Sequence, residues 1–518
     1  MSRTVDIFVP LAARDEPLAS RVARVLGISP EDAGGVRILR RSLDARKGHQ
    51  IGYRLRVEVV PPAERKAVAE ANSVARAWPA SIPVPRVVIV GSGPAGLWAA
   101  LRLAEAHVPS TILERGRPVE PRRRDIANVQ RGHLDINSNY CFGEGGAGAY
   151  SDGKLTARTK DRLGVARVLA DMVRFGAPED VRIEARPHVG SNRLPKVISA
   201  MRAWLESHGV RYKFQAGLVG IERRQERVCS VCTSDGDVIP ADVVVLACGH
   251  SARDVYRLAE RSDVALARKG SALGVRLEHP QSVIDRIQYG RAAGDARLPP
   301  AFYDLRACGA GRSVYSFCMC PGGFIVPAAT EPDGVVLNGM SLSRRDSPHA
   351  NAAIVVAVQP DDYGAAAQGA LAGIAFQRRI EEAAFRLGGG GLRAPAQRLV
   401  DFLAAKTSTT LPKSSYHPGV VRGRIDDVFP DFVTASLREG LSVIARRVRG
   451  FLHPDAVLVA AETRTSAPVR ILRDPVTLES PSLAGLYPAG EGSGYAGGIV
   501  SAAMDGARIA EAILARAT

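Results

Sequence analysis

The sequence predicts an α/β fold: a Rossmann-like domain built from discontinuous pieces, an inserted domain on a mixed sheet, and a small α+β module ahead of both. Three observations lead there. Residues 87–116, VVIVGSGPAGLWAALRLAEAHVPSTILERG, read as strand, glycine turn, helix and second strand. Near the far end, LYPAGE at 486–491 runs into glycines and a helix rich in small residues. Between the two, strand-like runs alternate with helices over a stretch long enough for a domain of its own. The expected boundaries are 1–80 for the N-terminal module, 86–269 for the first part of the Rossmann-like domain, 270–454 for the insertion and 455–518 for the closing part.

The first unit carries the most specific signal. A short apolar run at 87–90 suits a buried parallel strand, Gly91, Gly93 and Gly96 follow with GxGxxG spacing around Pro94 and Ala95, and residues 97–106 have helix-forming composition. The first glycine permits a tight turn, the second lets backbone approach a pyrophosphate, and the third lets helix and strand pack closely. The helix N-terminus then offers free N–H groups to the anion. A second strand at 111–113 ends in Glu114, at the distance where a carboxylate meets a ribose hydroxyl, with Arg115 next to it. A dinucleotide cofactor is expected.

The closing segment, with Gly490, Glu491, Gly497, Gly498 and Ile499, resembles the last motif of glutathione-reductase-like flavoproteins, in which an Ala-Gly-Asp turn touches the ribityl chain and pyrophosphate. Glu491 stands where those proteins carry Asp, a longer acid that still accepts a hydroxyl hydrogen bond. DVVVLACGHSARD, with Gly249, is similar to the strand at which such chains return to the nucleotide domain. Together these resemblances imply FAD rather than NAD. At whole-chain scale, NVQRGHLDINSNYCFGEGGAGAYSDGKLTART, HVGSNRLPKV, GVRLEHPQ, FCMCPGGFIVPAATEPDGVVLNGMS and ETRTSAPVRILRD resemble a family of uncharacterised bacterial FAD-dependent dehydrogenases, over nearly all of residues 35–518. The resemblance implies a flavoprotein fold and redox chemistry, and supplies no substrate.

In the N-terminal module, a strand at 5–9, an amphipathic helix at 18–26 and paired strands at 36–43 and 51–59 are expected, followed by a helix and linker over 61–85. Residues 37–56 carry seven Lys or Arg against the single Asp44, the one concentrated basic patch: an anion or RNA site, or a solvated hairpin face. The formal charge of +16 is otherwise spread along the chain, without the clustered stripe of a nucleic-acid binder. With 46% apolar residues the chain can bury two or three cores. The first residues contain no apolar signal core, and no uncharged apolar run reaches the ~18 residues a membrane span needs, so a cytoplasmic protein with no membrane contact is expected.

Seven cysteines are too few and too irregular for a disulfide framework. Cys229 and Cys232 spell CxxC on a strand-like run, which would turn them to opposite faces. Cys318 and Cys320 differ: at i, i+2 on an extended segment they share a face, just before a Pro-Gly-Gly turn. Two readings stay open, a dithiol that relays electrons and a pair of small buried hydrophobes.

Gly143, Gly145, Gly146 and Gly148 are too dense for a helix or strand and predict a loop whose N–H groups lie against a ligand; the resemblance puts it beside the flavin ring. Glu144, Lys154, Arg464, Arg470 and Tyr495 flank these motifs and, with Cys318 and Cys320, are the candidates for catalysis or substrate handling. The arginines would suit a carboxylate or phosphate. No metal site is expected. No second GxGxxG unit appears, so NAD(P)H would visit the flavin directly as a transient reductant, or a redox partner protein would replace it. The leading function is an FAD-dependent oxidoreductase acting on a small molecule. A flavoprotein acting on RNA through the basic module, and a non-catalytic FAD-binding scaffold, are the alternatives.

Overall fold

Short, mostly apolar runs form the five parallel strands of the central sheet in the computed structural model, which describes residues 3–13, 16–29, 31, 35–59, 78, 81–364 and 369–516. Their spatial order is Leu486–Pro488, Val243–Leu246, Val87–Val90, Ser110–Glu114, Arg211–Phe214. Helices cover both faces, which is why Val87–Val90 is apolar at every position. The chain leaves Val87–Val90 toward one edge and returns at Val243–Leu246 on its other side. Such a switch opens a crevice beyond the carboxyl ends of the two strands, and the turn Gly91–Gly93 lies there.

The small residues anticipated in the closing helix are used for close packing. A Cβ added at Gly506 would stand 1.9 Å from the Ala95 carbonyl oxygen, and one at Gly96 would stand 1.9 Å from that of Gly91. Helix Ile499–Ala515 thereby lies directly on helix Pro94–Glu105 and fixes the angle at which both N-termini enter the crevice.

The inserted domain is a seven-stranded mixed sheet ordered Arg306–Gly309, Arg312–Cys320, His349–Val358, Ser271–Pro280, Val457–Glu462, Ala394–Arg398, Val420–Arg422. Helices Ala372–Leu387 and Asp431–Arg447 contribute to its core. Strand Val457–Glu462 pairs with Ser271–Pro280 and Ala394–Arg398, so the sheet continues past the boundary expected at residue 454.

The N-terminal module is a three-stranded antiparallel sheet, Arg3–Pro10, Gly52–Val59 and Val36–Asp44, with helix Leu18–Leu26 packed on it. It docks through backbone: Arg41 N–H donates to the Ile183 carbonyl at 2.7 Å, and Ala185 N–H donates to that of Arg41 at 2.8 Å. The basic patch is largely paired. Arg37 meets Glu58, Arg41 meets Asp180 and Glu184, Arg46 and Arg54 share Asp44, and Arg56 meets Asp6. The helix and linker expected at 61–85 fall mostly outside the described residues. Among the described residues, no helix is long and apolar enough to cross a membrane.

One wall of the crevice is the loop at 139–148, and it is held from beneath. Arg122, fully buried in helix Val119–Gln130, donates to the carbonyls of Asn139, Tyr140, Gly143, Glu144 and Gly146 at 2.7–3.1 Å. Gly143 (φ +113) allows this, since a Cβ there would fall 2.4 Å from the Arg122 Cδ. Glu144 points into the same buried layer. Its Oε2 accepts from Val119 N–H at 2.7 Å and lies 3.3 Å from Arg202, while Oε1 has no partner. Burial pushes its carboxyl up to about 7. Glu144 therefore supports the loop from behind and does not face the crevice.

Two outcomes follow. Arg122→Met strands five carbonyls and should cost at least about 3 kcal/mol in denaturant unfolding; a loss below about 1 kcal/mol would show that the loop is held otherwise. Between its ordinary range and about 7, the folded Glu144 keeps a proton that the unfolded chain releases, so its contribution to stability declines as pH rises through that window. Glu144→Gln removes this dependence. Relative to that variant, the wild type should lose about 2–3 kcal/mol between about pH 5 and about pH 8, read from paired urea curves.

Candidate functional site

The crevice deepens into a cavity of about 240 Å³ that runs between the two large domains. Its lining includes Glu114, Arg115, Phe142 and Leu218, and also Lys154, Cys318, Asn338, Glu462, Arg464 and Thr465. Further segments that are remote in sequence complete it: Gly91, Gly93, Pro94 and Ala95, then Gly146 and Gly148, then Cys248, Gly249 and His250, then Glu491, Gly498 and Ile499.

Its glycines divide into two groups. At Gly93 a Cβ would meet only the Gly146 Cα, at 3.8 Å, and at Gly249 or Gly498 it would meet no atom within 4 Å. These three face open cavity, and backbone there can be approached closely. Gly91, Gly96, Gly145 and Gly490 serve packing instead: added Cβ atoms would collide with the Ala247 oxygen at 2.5 Å, the Gly91 oxygen at 1.9 Å, the Ile198 Cδ1 at 2.3 Å and the Ala95 Cβ at 2.7 Å. Gly497 has open space around it but lies outside the cavity lining. Helices Pro94–Glu105 and Ile499–Ala515 both begin at the cavity, so their first N–H groups supply partial positive charge to an anion. Open glycine backbone and two helix N-termini fit a dinucleotide with a pyrophosphate.

Glu114 lines this site with its carboxylate already engaged. It accepts from Ser92 N–H (3.1 Å) and Oγ (2.7 Å), Gly116 N–H (2.9 Å) and Gly143 N–H (3.0 Å). Arg115 pairs with Asp254 and lies over the Phe142 ring at 4.4 Å. Glu491 Oε2 accepts from Gly498 N–H at 3.2 Å and steadies the turn ahead of the closing helix.

Elsewhere in the lining Lys154 is the centre of a cluster. Its Nζ is 3.7 Å from Cys318 Sγ, 3.6 Å from Cys320 Sγ and 3.0 Å from Asp152 Oδ2. Burial opposes its charge, but the two sulfurs and Asp152 raise its pKa above the ordinary lysine value. Cys318 lines the cavity, and Cys320 is fully buried behind it. By contrast, burial pushes the Cys248 thiol up to about 12, which keeps it neutral.

Other candidates have structural work. Arg464 reaches the lining, yet its guanidinium donates to Glu381 (2.8 and 3.0 Å) and Thr330 (2.7 Å). Burial alone would raise the Glu381 carboxyl, but Arg464 and Arg253 hold it down to about 2. Tyr495 lies outside the lining, its hydroxyl accepting from Arg473 N–H at 3.1 Å and its ring flanked by Arg473 at 3.8 Å and Arg470 at 5.3 Å. Of the arginines expected to hold an anionic substrate, Arg464 is thus engaged within the protein, and Arg470 is exposed and lies outside the lining. Asp152, Asn338, Glu462 and His250 were not singled out from sequence, although Asp152 stands two residues before Lys154, Glu462 two before Arg464 and His250 next to Gly249.

Residues 270–465 match a family model described as FAD-dependent protein, C-terminal domain-like; residues 163–278 match pyridine nucleotide-disulphide oxidoreductase, and residues 1–60 match a domain of unknown function. An uncharacterised protein of Clostridium beijerinckii is 39% identical over 515 residues, spanning 96% of this chain and 95% of its own length. Among solved structures, a glycine oxidase from Bacillus cereus is similar at 11% identity and a TM-score of 0.36, over 83% of this chain and 95% of that one. The halogenase PltM in complex with FAD is similar at 11% identity and a TM-score of 0.39, over 84% and 70%. The chain belongs to the family of the clostridial protein, a family of FAD-dependent, oxidoreductase-like proteins.

Proposed function

We propose that the protein is an FAD-dependent oxidoreductase whose cofactor lies extended along the cavity, adenosine toward Glu114 and Arg115 and flavin ring toward Lys154 and Cys318. One observation carries this: Gly93, Gly249 and Gly498, contributed by three remote segments, open onto one cavity at the switch point of the parallel sheet. Bound FAD would supply hydride or electron transfer at its ring. The chain's own work is positional. The N-terminus of helix Pro94–Glu105 meets the pyrophosphate, and that of Ile499–Ala515 favours negative charge at the ring. Lys154 supplies positive charge where a substrate would meet the ring, and Asp152 and the two sulfurs keep it protonated.

The substrate is a small molecule sharing the cavity with the ring, and NAD(P)H or a redox protein delivers or removes the electrons. An RNA substrate is not favoured, because the arginines that would dock it are mostly paired within the protein.

Gly93→Val separates cofactor binding from folding. Its new Cβ meets only Gly146 Cα, at 3.8 Å, so the variant should fold, with flavin occupancy reduced at least about tenfold by absorbance. Gly96→Val, facing the Gly91 oxygen at 1.9 Å, should instead lower thermal stability directly. A folded Gly93→Val protein that keeps stoichiometric flavin would overturn the placement.

A further inference from the structure

We propose that Cys318 and Cys320 form a reversible dithiol–disulfide couple that exchanges two electrons with the flavin, with Lys154 as the residue that holds its reactive form. This rests on the FAD reading above. Both cysteines lie outside residues 163–278, the part that matches the pyridine nucleotide-disulphide oxidoreductase model, so the couple belongs to the inserted domain.

The geometry begins with a bulge. Phe317 pairs with Ala353 while Cys320 pairs with Asn351, so strand Arg312–Cys320 carries one extra residue, and Cys318 takes φ +46. A regular pleat would stand the two side chains apart on one face. Here both sulfurs converge on a single ammonium, at 3.7 and 3.6 Å, with Cys320 Sγ 3.4 Å from the Cys318 carbonyl oxygen. One sulfur reaches the cavity and the other lies sealed behind it, as an exchanging and a resolving thiol require.

Charge selects the ionisation state. Lys154, Arg276 and Arg345 face the pair or its immediate shell, as do Asp152 and Glu462. Glu462 is bonded to Arg276 at 2.6 Å, and Asp152 to Arg345 at 2.8 Å and Lys154 at 3.0 Å. Three cations against two carboxylates leave one positive charge, which a single thiolate neutralises. The hydrogen bond from Cys320, then Lys154 and Arg276 acting against burial, hold Cys318 well below the ordinary thiol range; the same bond and burial keep Cys320 protonated. Oxidation joins the Cys318 thiolate and the Cys320 thiol in one S–S bond. Two electrons and the Cys320 proton pass to oxidised flavin, giving the reduced flavin anion; the reverse step restores the Cys318 thiolate and the Cys320 thiol.

The test is an anaerobic reductive titration of the oxidised holoprotein. Wild type should accept four electrons per flavin, and Cys318→Ser/Cys320→Ser two. If the double variant does not fold, Cys318→Ser alone, at the partly exposed position, should also accept two. A wild type that stops at two overturns the couple and leaves the FAD reading intact; a protein that takes up no FAD on reconstitution overturns both. Independently of flavin activity, diamide-oxidised wild type, unfolded in alkylating reagent, should yield a peptide with Cys318 linked to Cys320, and free thiols at both would refute the proposal. Lys154→Met should slow alkylation of Cys318 at about pH 6 at least tenfold, and Lys154→Arg should restore it. Equal rates in all three proteins would remove Lys154 from the couple.

Discussion

A single buried guanidinium governs the shape of the crevice. Arg122 is surrounded by carbonyl oxygens that it binds directly, and the loop carrying Gly143, Glu144 and Gly146 is folded around it. Burial lowers its pKa, while Glu114 and Glu144 favour its charge. Glu114 meets the same loop from the other side, binding Gly143 and the Ser92 turn together. One cation and one anion thus fix the distance between the GxGxxG turn and the wall opposite. Lysine would make a poor replacement, since three donors on one nitrogen cannot reach carbonyls spread over several residues.

The part of the lining around Lys154 is shared between domains. Lys154 and Asp152 belong to the Rossmann-like part, and Cys318, Asn338, Glu462 and Arg464 to the insertion. The strong buried pairs, Arg276 with Glu462 and Arg464 with Glu381, each bring one partner, Glu462 or Arg464, to the lining. They keep the wall polar without presenting a loose charge to the cavity, because removing either partner would leave an uncompensated ion.

Legibility in the sequence followed physical locality. The parallel strands, the GxGxxG turn and the N-terminal module depend on periodicity and glycine spacing, and these appear where expected. Side-chain direction does not. Glu144 sits among the glycines yet turns inward, because Val119 N–H and Arg202 lie beneath it. Arg122, Arg123 and Arg124 look alike in a string, and only the fold of the loop makes the first a buried anchor. The sharing of a face by Cys318 and Cys320 was anticipated, but the bulge that brings both sulfurs to Lys154 has no signature, since φ +46 falls on a cysteine and not on glycine. Strand Val457–Glu462 was misplaced because its partners, Ser271–Pro280 and Ala394–Arg398, come from far earlier in the chain.

The packing of helix Ile499–Ala515 on Pro94–Glu105 has a consequence for biosynthesis. The earlier helix and its strand leave the ribosome with one apolar side bare, and the element that covers it is translated only after the whole inserted domain. The same holds for Leu486–Pro488, the edge strand beside Val243–Leu246. Until then the nascent nucleotide domain shows sticky surface and an unpaired strand edge, the features that recruit chaperones and favour misassembly. Co-translational folding should therefore complete the insertion first and close the cofactor domain last.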